Sequence, residues 1–332
     1  MSSQGKFVPE FPKPFDFVPF AGKPARNGRP GHESFRIHDH FSGRLVYTLH
    51  VETPLHISSG NYALTDKDLG LTAKNVLRDV YRLQQNGQNL PAIPGSTLKG
   101  ATRAVVEAVT ASCIGVTRVD RRDLPDDLER PCRAPHLCPA CALYGAMSRM
   151  ARLSFSDAIF VTGDAGIVRM PALFRPRPEQ GRAYRKGPRQ FVGRKFYLHG
   201  RPTLPKEGHY LEVIRPGSQL RGMVDFTSLT EAELGLLFFA LGLDNSFQLA
   251  LGGGKPVAMG RVHLEPVELQ LQQTASFTNY ETDSGFLTDS SLHSAITHHL
   301  QQAESLILPA QQQKLREILN PQNPRPAATG TY

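Results

Sequence analysis

The order of hydrophobic patterns predicts an α+β, ferredoxin-like fold, in which two helices pack on one face of an antiparallel sheet. Three observations carry that expectation. Segments 43–53, 152–161 and 219–227 alternate apolar and polar residues, as half-buried strands do. Segments 97–111 and 228–243 carry helical patterns. A last strand, 257–265, follows three consecutive glycines. A sheet of this kind is a common platform for RNA.

The elements follow in order. Residues 1–40 are rich in Pro, Phe and His and show little periodicity. They read as an extended N-terminal arm whose Phe15, Phe17, Val18 and Phe20 dock on the domain or on a neighbouring subunit. The main domain spans 41–269, and its first strand is GRLVYTLHVET, 43–53. Residues 58–92 are polar, with Gly60, Gly70 and Gly87; within them, 75–83 fits a short strand or a helical turn. In TLKGATRAVVEAVTA, Leu98, Ala101, Val105, Ala108 and Val109 share one helical face, and Ser96 or Thr97 supplies the cap oxygen. Residues 113–142 carry Cys and Pro and form an insertion; RLSFSDAIFV returns as a strand. Residues 164–222 form a second, basic insertion with short apolar pieces at 166–170, 195–198 and 210–214. QLRGMVDFT is the next strand. In SLTEAELGLLFFALGL, Thr230 caps and Glu233 lies three residues on, the spacing of a capping box. Residues 270–332 are a polar, Gln-rich helical extension, with helices near 291–306 and 311–319.

Composition bounds the function. The chain has 332 residues, with 38 Lys and Arg against 30 Asp and Glu, a formal charge of +8, and 40% hydrophobic residues. Such a chain buries a real core, which excludes a disordered polyelectrolyte, a disulfide-stapled miniprotein and a coiled coil. The basic balance favours a polyanionic partner, nucleic acid first. No run of eighteen apolar residues exists, so no membrane span is expected. The opening residues lack a secretory pattern, so a cytoplasmic setting is expected. Four cysteines in that setting argue for metal or free thiols rather than disulfides.

Two segments suit an anion. In PAIPGSTLKGATR, the Pro94–Gly95 turn feeds a helix start, and Lys99 and Arg103 are expected where a phosphate would sit beside the first-turn amides. In LGGGKPVAMGR, Gly252, Gly253 and Gly254 permit close approach of a ligand backbone, and Lys255 and Arg261 flank them with charge. No Lys-Ser/Thr follows at Walker spacing, so this is not an ATP loop. A plain flexible connection is the alternative reading.

Cys132, Cys138 and Cys141 lie within ten residues, and Cys113 lies nineteen before the first. Four thiolates complete a tetrahedral structural zinc site, with His136 as the alternative fourth ligand. Between Arg169 and Arg201 stand ten basic residues, among them Arg185, Lys186, Arg189, Arg194 and Lys195, against the single acid Glu179. Tyr184, Phe191, Phe196 and Tyr197 interleave with them. Charge there binds phosphates without reading sequence, and aromatics stack on bases.

IPGSTLKGATR, TPLHISSG (53–60) and LGGGKPVAMGR together resemble the hallmarks of the RAMP superfamily of CRISPR proteins, most closely backbone subunits of type III effector complexes. The resemblance covers roughly 15–267. It implies a modified RNA-recognition-motif domain, a structural zinc in the cysteine insertion and a thumb hairpin in the basic insertion. The implied partners are CRISPR RNA, target single-stranded RNA and other subunits of a type III complex, with no membrane. RNA contacts are then expected at His56, Ser58, Ser96, Thr97, Lys99 and Arg103, at the basic residues 185, 186, 189, 194 and 195, and at the glycine loop with Lys255 and Arg261.

Relatives that cut target RNA carry an Asp shortly before a segment that VLRD (76–79) resembles, and the matching position here is Ala73. Asp66 and Asp68 lie upstream in the same loop and are the catalytic candidates: a carboxylate there would hold Mg²⁺ or position an attacking 2′-hydroxyl. Three functions follow. The first is an RNA-binding backbone subunit of a type III interference ribonucleoprotein, acting in antiviral defence. The second is a metal-dependent endoribonuclease that cleaves guide-paired target RNA. The third is a stand-alone guide-processing RNase using His56.

Overall fold

The structure is a computed structural model. It describes residues 14–28, 40–64, 76–115, 117, 119–125, 127–128, 130–147, 149–171, 173, 184–187, 190–202, 208–273 and 285–323. The strands that frame the site are β1 (Phe15–Pro19), β2 (Phe41–Val51), β3 (Ser58–Leu64), β4 (Val76–Val80), β5 (Arg82–Gln85) and β6 (Gln88–Ile93). After helices α1 (Gly95–Val109) and α2 (Pro139–Tyr144) come β7 (Leu153–Phe155), β8 (Ala158–Thr162), β9 (Ala165–Met170), β10 (Gly193–Tyr197), β11 (His209–Ile214) and β12 (Gln219–Leu229). The chain closes with α3 (Glu231–Ala240), β13 (Leu249–Ala250), β14 (Arg261–Gln273), β15 (Gly285–Leu287), α4 (Asp289–Gln302) and α5 (Pro309–Leu319).

The fold is mixed α+β. A nine-stranded sheet runs β13-β14-β2-β12-β8-β6-β5, with β15 on β14 and β7 on β12. Its central pairs β14–β2, β2–β12 and β12–β8 are antiparallel. Alternation explains the centre: Leu45, Tyr47, Leu49 and Val51 of β2 all point into the core. α1 buries Leu98, Val105, Val106 and Val109. α3 is buried nearly all round, because it lies between β12 and α4. Its capping box forms as the sequence predicts: Thr230 Oγ1 accepts from the Glu233 amide, and Glu233 Oε2 accepts from the Thr230 amide.

Four expectations change. α1 starts two residues earlier, at Gly95, with Pro94 at the cap position and no side-chain cap, so neither Ser96 nor Thr97 caps it. The segment 152–161 is two strands, broken at Ser156 and Asp157. The last strand begins at Arg261, because Lys255–Val257 is a helical turn and Ala258 and Gly260 both take positive φ. A second sheet, β9-β11-β4-β3, joins segments far apart in sequence, and its β4–β11 pair is parallel. The ambiguous segment 75–83 contributes strand, not helix. The arm residues Phe15–Pro19 pair with β10 of the same chain, which buries Phe15 and Val18. No helix among the described residues is long and apolar enough to cross a membrane.

Candidate nucleic-acid interface and metal centre

The structure brings the TPLHISSG segment against the glycine loop. The Gly253 amide donates to the His56 carbonyl at 2.9 Å, and the Gly260 amide to the Pro54 carbonyl at 2.9 Å. Gly252 needs to be glycine on two counts: its φ is +67°, and a Cβ there would collide with the His56 carbonyl. His56 itself is buried, its Nδ1 2.7 Å from the Glu212 carbonyl, and burial holds its imidazole below the ordinary value. Its ring is therefore turned inward, whereas Ser58 and Gly253 are exposed beside it.

A cavity of about 310 Å³ opens where α1, β10 and the glycine loop meet. Thr97 lines it from α1, Lys195 from β10, and Gly252 and Lys255 from the loop. Two segments read separately in the sequence thus share one space with part of the basic insertion. The Lys195 ammonium lies 3.9 Å from the centre of the Phe15 ring, 4.6 Å from that of Tyr197 and 5.2 Å from that of Tyr184. Tyr184 Oη also accepts from it at 2.8 Å. The arm strand thus supplies one wall of the lysine's aromatic surround.

Several expected phosphate ligands face inward instead. Glu107 has a side chain only 1% exposed, and a buried carboxylate requires counter-charge. It takes Arg103 Nε at 2.7 Å, Arg194 Nη1 and the Gly115 amide at 3.0 Å. Arg103 Nη1 also reaches the Gly145 carbonyl, and Nη2 lies 3.7 Å from Cys141 Sγ. Arg103 therefore does not face the start of its helix. Lys99 is half-buried, donates to the Leu153 carbonyl at 3.2 Å, and burial lowers its pKa. Arg261 is 0% exposed and donates through Nη2 to the Tyr197 and Leu198 carbonyls, so it is no surface phosphate ligand. Arg185 pairs with Asp123 at 2.9 Å and lies over the Phe191 ring. Ser96 is exposed.

Asp66, Asp68, Ala73 and Arg189 lie outside the described residues, as does the side chain of Lys186. Sequence reasoning missed Asp157, whose Oδ1 accepts from the Gly95 amide at 2.8 Å. It also missed Glu107, although the Arg103–Glu107 spacing of four is a visible helical ion-pair signal.

The four cysteines converge. Their sulfurs all lie within 4.8 Å of one another, and all four residues are buried. Cys113 Sγ stands 3.5 Å from Cys141, 3.6 Å from Cys132 and 3.7 Å from Cys138. A tetrahedral ion with bonds of about 2.3 Å sets sulfurs about 3.8 Å apart, so the set fits zinc and is far too open for a disulfide. The Cys138 amide points at Cys132 Sγ at 3.4 Å, and Arg103 adds positive charge beside Cys141. His136 is exposed and stands outside the cluster, whereas Cys113 stands within it. Four protein ligands leave no open position, so a metal here staples the insertion to α1. Beside it lies a second cavity of about 450 Å³, lined by Lys99, Arg103, Arg121 and Arg149 among others.

No curated protein matches the sequence. The family model of the RAMP superfamily matches residues 48–263, a span that starts in β2, ends in β14 and contains the cysteine cluster, the glycine loop and the α1 segment. The chain belongs to the RAMP superfamily, and with it to proteins with a CRISPR-associated, RNA-binding role.

Proposed function

We propose that the chain is a CRISPR RNA-binding backbone subunit of a type III interference ribonucleoprotein, which assembles along the guide, holds the duplex with target RNA and serves antiviral defence. The observation that carries this reading is the meeting of α1, the glycine loop and β10 around one cavity lined by Lys195 and Lys255. Cationic walls favour a phosphate backbone and carry no base code. The strand order β14-β2-β12-β8, with α1 and α3 in the connections, supports a ferredoxin-like core of the kind RNA-recognition motifs use.

The test is anisotropy of labelled oligoribonucleotides of unrelated sequence, titrated against salt. Binding should be indifferent to sequence, and Lys195→Ala with Lys255→Ala should flatten the salt slope by about 1–2, since each lost phosphate contact removes ~0.7 on single strands. Absence of binding at low ionic strength would overturn the reading. A guide-loaded assembly given complementary RNA and Mg²⁺ should make no cut that depends on Asp66 or Asp68. Cleavage that disappears in Asp66→Ala or Asp68→Ala would transfer the reading to an endoribonuclease.

A further inference from the structure

The cavity between α1, β10 and the glycine loop has two kinds of wall. Ala101, Ala104 and Val105 of α1, with Leu249, Leu251 and Leu319, make it apolar. Lys195 and Lys255 make it cationic. Behind it, Arg261 holds the carbonyl of Tyr197, itself a lining residue. The Arg261 guanidinium is fully buried, yet its Nε and Nη1 find no hydrogen-bond partner among the described residues. The Lys255 ammonium has three donors, and its one recorded partner is the Gly252 carbonyl at 2.6 Å. Burial and the Arg261 charge push Lys255 down, and no carboxylate among the described residues counters either cation. A fully buried guanidinium beside a half-buried ammonium, neither with a counter-charge among the described residues, is costly, so an anion is the missing component. The volume of about 310 Å³ sits at the low end of small-ligand pockets, which run from ~300 to ~1,000 Å³.

We propose that this cavity is a mononucleotide site: the apolar walls of α1 and Leu319 take a base, and the Lys255 end takes its phosphate. The nucleotide is either free or one unit of a bound strand. The second source rests on the RNA-binding reading above, whereas the pocket itself does not.

Calorimetric titration of the full chain with AMP, adenosine and inorganic phosphate tests it. AMP should bind saturably, with adenosine and phosphate each at least tenfold weaker. Lys255→Met should weaken AMP at least tenfold and leave adenosine unchanged, and since this variant removes a half-buried charge it should retain the fold. Ala104→Leu, which fills the cavity, should abolish both AMP and adenosine binding, with thermal melting as the check on folding. A short oligoribonucleotide carrying 2-aminopurine separates the sources. If a strand's nucleotide enters, its emission changes and AMP reverses the change; if only free nucleotide enters, AMP binds and the emission stays constant. No saturable AMP binding together with constant emission overturns the pocket. A chain that still binds oligoribonucleotides in that case keeps the RNA reading, and one that binds AMP but no RNA loses that reading and keeps the pocket.

Discussion

The Gly95 amide donates to Asp157 Oδ1 at 2.8 Å, so the first turn of α1 already holds an anion of its own chain. The same carboxylate accepts from Tyr81 Oη at 3.3 Å. Asp157→Ala should cost about 1 kcal/mol through the lost cap and charge–dipole interaction, a fall of about 2 °C in Tm. Ser96→Ala should leave Tm unchanged, because Ser96 is exposed and caps nothing. Equal Tm for wild type and Asp157→Ala would refute this assignment.

Elemental analysis of the purified chain should find one zinc per molecule. Cys113→Ser should lose it, and His136→Ala should keep it, since only Cys113 joins the other three sulfurs. Chelation should lower the melting temperature of wild type and leave Cys113→Ser unaffected.

Glu107→Gln removes the carboxylate that joins Arg103 and Arg194. The loss should be about 3 kcal/mol, near the low end for a broken buried pair, because the two guanidiniums are 18% and 22% exposed. Urea unfolding measures it. Arg103→Ala should loosen zinc retention, since its guanidinium lies beside Cys141. An unchanged metal content after dialysis would count against that coupling.

Burial, with the Arg261 charge second, pushes Lys255 from the ordinary 10.5 down to about 8. From about pH 8 to 10.5 the unfolded chain therefore holds more protons than the folded one. The contribution of this group is unfavourable below that window and is relieved as pH rises through it. Arg261 of β14 acts on Lys255, and Lys195 of β10 lines the same cavity; neither element brings a carboxylate to it. Lys255→Met should be more stable than wild type at pH 7, and the gap should narrow toward pH 10. Urea midpoints across that range that run parallel for the two proteins would refute the shift.

Local signals were legible in the sequence, and long-range ones were not. The Thr230–Glu233 box is a matter of three residues along one helix, so its spacing announced it. The cysteine spacing did the same for three members of the cluster, although only the folded chain places Cys113 with them and His136 outside. β2 was readable because its inward positions are all large and apolar. The partner of Gly95 is 62 residues away, and nothing near Asp157 signals that contact. Arg261 looked like a surface charge and is fully buried, and Lys255 is half-buried, because burial here is a property of the assembled walls. The sheet that pairs β4 with β11 joins segments about 130 residues apart, beyond any local periodicity.

The pairing of β1 with β10 also orders events during synthesis. Phe15 leaves the ribosome about 180 residues before Tyr197, the residue it faces. Until β10 emerges, Phe15 and Val18 have no strand to rest on; once it appears, Lys195 meets the Phe15 ring of the arm. Assembly of the aromatic surround is thus a late closing step that joins early and late translation products. A nascent chain stalled before residue 193 should keep 15–19 open to protease, and one long enough for residue 197 to have cleared the ribosome should protect it.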